Sequence, residues 1–223
     1  MHIAGRPSWR FEHGNGQASD LQDALLSRDL AGLAVPPSPD VPPPLAADWL
    51  AGQPPAGLAA LTAAELTAAA AQWPGWWRQL LANKVSIGDS RPPPGAGVEA
   101  MMAWAKLLCE SAVFDPPGFD SLALVPELQA LVRATYGTRP RGLADRPGSF
   151  HHQLIRSIAE ETAEESGAPI DAMDVTAHVL DVRGSWWHVA GPGCVLCSPA
   201  ATADPGVAEQ LLRAAFASRL GRP

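Results

Sequence analysis

Asp174-Val175-Thr176-Ala177-His178-Val179-Leu180-Asp181-Val182-Arg183-Gly184-Ser185-Trp186-Trp187-His188-Val189-Ala190-Gly191-Pro192-Gly193-Cys194-Val195-Leu196-Cys197-Ser198 is the stretch on which the fold turns. It concentrates the valines of the chain and alternates apolar with polar side chains, the pattern of half-buried strands. Three strands are predicted, over 174–182, 186–190 and 194–198. Gly184-Ser185 suits a two-residue type II′ hairpin turn. That turn sets Val182 opposite Trp187, Asp181 opposite His188 and Leu180 opposite Val189, and directly opposed residues share a face. One face is then Leu180, Val182, Trp187 and Val189, wholly apolar; the other holds Asp181, Arg183, Trp186, His188, Val179 and Ala190. Gly191-Pro192-Gly193 makes the next turn. It pairs Ala190 with Cys194, Val189 with Val195, His188 with Leu196 and Trp187 with Cys197.

Working outward, helices flank this sheet. Phe150–Ser166 carries a stripe of Phe150, Leu154, Ile158 and Thr162, with Ser149 as its cap and Gly167 as its stop. After the sheet, Asp204 caps a last helix with Pro205 at its first position. Further back, Pro126 and Gly137 bracket a helix over 127–136, and Val98–Val113 shows helical spacing through Met101, Trp104, Ala105, Leu108 and Ala112. Thr62-x-x-Glu65 opens a helix that Pro74 is expected to stop, with a restart at Gly75. Ser19-x-x-Gln22 opens another, with Leu21, Leu25 and Leu26 as its stripe. Residues 8–13 alternate as a strand able to join the sheet at an edge. Residues 35–57 hold eight prolines and read as a semi-rigid connector or a surface strap, with a single turn near Leu45–Leu50 anchored by Trp49.

The fold expected is α+β: a mainly helical N-terminal part, then a helix–three-stranded antiparallel sheet–helix unit. The divisions are a strand–helix element (1–34), the proline-rich connector (35–57), a helical region (58–137), a linker (138–148) and the α-β-β-β-α unit (149–223). With strand 8–13 in the sheet, the whole becomes one domain.

Composition bounds the function. The chain has 223 residues, 47% hydrophobic and 17% charged, enough apolar matter for a packed core. The net charge of −7 and the lack of a basic stripe argue against nucleic acid as a partner. No apolar run is long enough for a membrane span, and the N-terminus lacks the apolar stretch of a signal peptide. Cysteine is scarce and odd in number, three in all, which fits a reducing compartment, so a cytoplasmic setting is expected.

Chemistry-bearing groups are few. Cys194-x-x-Cys197 has the spacing of a metal or redox pair, but positions three apart on a strand point to opposite faces, so the thiolates cannot share one ion. Asp181, His188 and Cys194 fall on one face in the hairpin register, the orienter–base–nucleophile order of a cysteine hydrolase. His151 and His152 open a helix; with His188 and a cysteine they are the ligands of a metal-binding alternative. Glu160, Glu161, Glu164 and Glu165 crowd the end of the same helix, a solvated acidic face or a docking surface for a basic partner. Trp76, Trp77 and Trp186 are candidate platforms for proline-rich segments, the chain's own 35–57 first among them. No cofactor is called for. The leading expectation is a non-catalytic protein-interaction protein, such as an adaptor, an assembly component or an inhibitor, whose partner is another protein, basic or proline-rich. The cysteine hydrolase and the metal-binding protein are the alternatives.

Overall fold

A computed structural model describes residues 9–14, 19–51, 57–92, 96–111, 126–135 and 150–221. The expected linker 138–148, the Pro93-Pro94 turn and the Ser149 cap lie outside them. Among the described residues the fold is α+β, seven α-helices with one four-stranded mixed sheet. The strands are β1 (Arg10–Gly14), β2 (Asp174–Val179), β3 (Trp187–Gly191) and β4 (Cys194–Cys197), in the order β1-β2-β4-β3. β1 joins at the edge, parallel to β2, pairing Phe11 with Val175 and His13 with Ala177.

Two readings of the sheet are corrected. It is mixed, not an antiparallel meander, because β4 inserts between β2 and β3 and pairs parallel with β2. Gly184 does turn the chain, with φ 74°, but no 180s hairpin forms. Beyond β2 the chain leaves the sheet, and Val182 bridges antiparallel to Leu45 of the proline-rich strap. Central placement buries Val175, Ala177 and Val179 on one face of β2 and His178 on the other, with Asp174 and Thr176 half-buried. The β3–β4 hairpin has the expected pairs Trp187–Cys197, His188–Leu196 and Val189–Val195; at its mouth Gly191, not Ala190, opposes Cys194, through a bulge. Gly193 is obligatory there: its φ is 63°, and a Cβ would lie 2.6 Å from the Asp174 carbonyl oxygen.

Helices cover both faces. On one side α5 (His152–Ser166) and α7 (Pro205–Arg219) bury Ile155, Ile158, Leu211, Leu212 and Phe216 against Val175, Ala177, Val179, Val195 and Cys197. α5 starts at His152 with His151 as its cap residue, two positions later than expected, and ends on left-handed Gly167. α7 follows a short α6 (Pro199–Ala203), and the Asp204 side chain accepts the Gly206 and Val207 N–H groups at its start. On the other side α1 (Ser19–Leu30), α2 (Ala63–Asp89) and α4 (Pro126–Thr135) enclose Leu21, Leu25, Trp73, Trp77, Leu80, Leu128 and Leu131, with Leu180 and Leu196 from the sheet region.

Pro74 does not stop its helix. α2 opens with the expected Thr62/Glu65 capping box and runs unbroken to Asp89. An interior proline costs about 3 kcal/mol. Burial offsets it: Trp73, Trp76, Trp77 and Leu80 line one side of the helix across that proline, each at most 3% exposed. The Trp73 and Trp77 rings stack 5.3 Å apart at 10°. Fully burying each such side chain is worth about 1.5–3 kcal/mol or more, so packing outweighs the local break.

The proline-rich segment is a docked strap through residue 51. Prolines donate no backbone hydrogen, so their free carbonyls need donors from elsewhere. Arg28 supplies two, from Nη1 to Pro42 (2.7 Å) and from Nη2 to Pro43 (2.9 Å), while Asp29 accepts the Leu45 N–H (2.6 Å). Trp77 donates its indole N–H to the Asp40 carbonyl (2.7 Å), and Trp49, on a 3-10 turn over Ala47–Leu50, donates to the Asp181 carboxylate (3.0 Å).

Candidate functional site

The residues singled out by sequence fall in four places. Asp181, His188 and Cys194 are the first. The register that would assemble them required β2 beside β3, and β4 lies between those strands. Asp181 sits past the Val179–Cys197 end of the sheet, whereas Cys194 begins β4 at the other end, opposite Thr176. The Asp181 carboxylate is taken up with the Trp49 indole, and its backbone N–H with Gln22. His188 lies against Trp186, rings 6.4 Å apart, and its pKa is lowered by burial, with Asp40 of the strap pulling the other way. Burial pushes the Cys194 thiol up to about 12, so it is protonated at neutral pH. Cys197, on the opposite face, is likewise pushed up to about 12 by burial.

The tryptophans are the second place. Trp76 and Trp77 are core, 3% and 0% exposed, and Trp77 with the half-buried Trp186 packs in the cluster that receives Val35, Val41 and Trp49 of the strap. The chain is its own proline-rich client.

The glutamates of α5 are the third. Glu160 pairs with Arg156, and Glu161 is bound by Ser157 and by Arg213 of α7. Those contacts hold the Glu161 carboxyl below its usual range, the Ser157 hydroxyl first. Two of the four carboxylates are thus tied into the α5–α7 surface, while Glu164 and Glu165 extend the acidic edge. His151 and His152, the fourth place, are exposed at the start of α5, with the His152 ring 5.3 Å from Trp9. Among the described residues no three His, Cys, Asp or Glu side chains are grouped as a metal site.

Two features escape a reading of the sequence. One is a buried polar cluster between α1, α2 and the sheet. Lys84 Nζ lies 2.8 Å from Asp20 Oδ1, and its charge reaches both His178 and Cys194. His178 is driven down to about 3, by burial first and by Lys84 second. His178 Nδ1, Asp20 Oδ2 and Gln22 Nε2 are buried without hydrogen-bond partners. Asp20, Lys84 and His178 come from three distant segments, and no local motif joins them.

The other is α3 (Val98–Ser111). Of the residues whose spacing predicts it, Met101 and Ala105 are exposed and Trp104 is half-buried, while the Leu108 side chain and Ala112 lie outside what the structure describes. Of residues 98–106 only Trp104 turns inward, donating its indole N–H to the Ile87 carbonyl (3.3 Å) beneath the Arg91 guanidinium. Val98 is 76% exposed, Met101 43% and Met102 68%, and these are the large apolar side chains left exposed among the described residues. Spacings of three and four place them with Ala105 on one helical flank.

No known protein family, no curated protein and no solved structure matches the chain.

Proposed function

We propose that the chain is a non-catalytic protein-interaction component and that it docks another polypeptide along the exposed apolar flank of α3. The observation that carries this reading is the gathering of Val98, Met101 and Met102 on one helix face in water. Scattered exposed apolar residues are ordinary, but a contiguous set on a helix is what a partner groove or helix takes up. Methionine adds an unbranched, polarisable side chain that adapts to the surface it meets. The buried thiol of Cys194 and the separation of Asp181 from it favour association over thiol chemistry. An adaptor or assembly component fits this arrangement better than an enzyme does.

The test is chemical crosslinking followed by affinity capture from the native source, with the wild-type chain and Met102→Glu side by side and a crosslinked second copy of the chain counted as a companion. The expected result is a stoichiometric companion chain retained by the wild type and lost from the variant. A wild-type chain that emerges alone, or a companion retained equally by the variant, overturns the reading.

A further inference from the structure

The flank of α3 carries charges as well as apolar groups. At about 100° per residue, Val98, Met101, Met102 and Ala105 span an arc about 100° wide. Glu99 and Lys106 are both exposed and lie seven residues apart, so they fall within about 20° of each other on one edge of that arc. Two α3 helices laid antiparallel about a twofold axis beside Met102 and Ala103 bring like edges together, since the operation maps each flank onto itself. Glu99 of each copy then faces Lys106 of the other, at both ends of the contact. The methionine rows meet between them. A parallel twofold brings unlike edges together, so the two Glu99 side chains lie at one height on opposite rims and neither Glu99–Lys106 pair forms. Trp104, on the inward side, keeps its contact with Ile87 and Arg91 in either case. Lys106 already has an interaction within the chain, so the twofold adds a carboxylate to it and does not depend on its being unoccupied.

We infer that the polypeptide docked on this flank is a second copy of the same chain, in an antiparallel α3–α3 pair. This rests on the docking reading above and names its partner. Opposite charges at the rim set register and orientation, while the apolar row supplies the attraction. One helix pair of this length covers less than the roughly 1,200 Å² at which stable interfaces begin, so the dimer is weak and concentration-dependent.

Sedimentation equilibrium of the full chain tests it, with Glu99→Lys, Lys106→Glu and an equimolar mixture of the two. The wild-type mass is expected to climb from 23.4 kDa towards twice that value as concentration rises. Each single variant sets like charges at both ends and weakens association roughly tenfold. The mixture recovers it, because the lysine introduced in one variant meets the glutamate introduced in the other. A wild type that stays monomeric throughout the range, single variants that associate as well as the wild type, or a mixture no better than its components would each overturn the inference. The docking reading fails separately: it falls if Met102→Glu leaves the captured companion in place, whatever the wild-type mass does.

Discussion

α2 and α3 follow one another in the chain, and both carry tryptophan among apolar residues at helical spacing. Their fates are opposite. α2 sinks Trp73, Trp76, Trp77 and Leu80 into the layer beneath the sheet, and packing carries it through an internal proline. Over residues 98–106, α3 turns only Trp104 inward and leaves Val98, Met101 and Met102 in water. A periodic pattern therefore shows that a helix has an apolar face, without saying what covers it. For α2 the cover is α1, α4 and the proline-rich strap. For α3 the proposal is a second chain.

The largest effect should come from α2. Trp73→Ala removes a fully buried ring, its stack on Trp77 and its N–H bond to the Ala24 carbonyl. A loss of about 3–5 kcal/mol is expected in urea unfolding. A loss below about 1 kcal/mol would erase the contrast between the two helices.

Next is the strap that completes the cover of α2. Asp29→Ala leaves the buried Arg28 guanidinium without its carboxylate and frees the Leu45 N–H. The expected cost is about 3 kcal/mol, with faster proteolysis within residues 35–51. Unchanged cutting there would show that the strap holds without this pair.

A third test separates the polar underside of the sheet from its dry side. His178 has a folded pKa of about 3 against 6.5 unfolded, so between those values the unfolded chain binds the extra proton. Its contribution is fully present above pH 6.5 and is lost as pH falls, at up to about 1.4 kcal/mol per pH unit. The difference in unfolding free energy between wild type and His178→Gln should shrink from about pH 6.5 to about pH 4. A constant difference would place His178 in contact with solvent.

What is legible in the sequence follows the range of the interactions. The β3–β4 register can be read because Gly191-Pro192-Gly193 confines the turn and alternation fixes the faces; only the bulge at Ala190 escapes. The caps at Thr62 and Asp204 are legible for the same reason, since each is settled within three residues. The place of β2 is not. Its parallel partners β1 and β4 reach it through non-local pairing, and the local turn at Gly184 favours a nearer but incorrect neighbour. The Asp20–Lys84–His178 cluster is invisible because three distant segments make it. The strap can be suspected from its prolines, and the tryptophan that bonds it is Trp77. The spacing in α3 marks the helix, correctly, over the described residues; spacing alone does not tell which of its apolar side chains are covered.

The smallest expected effect is the most direct test of the central claim, that the flank of α3 belongs to a partner and not to this chain's own core. It is the unfolding free energy of Met102→Glu, measured at low concentration where the chain is a monomer. The account predicts a change within about 0.5 kcal/mol of wild type, as for a surface site. A loss of about 2 kcal/mol or more, the cost of placing a charge in packed apolar surroundings, would contradict it.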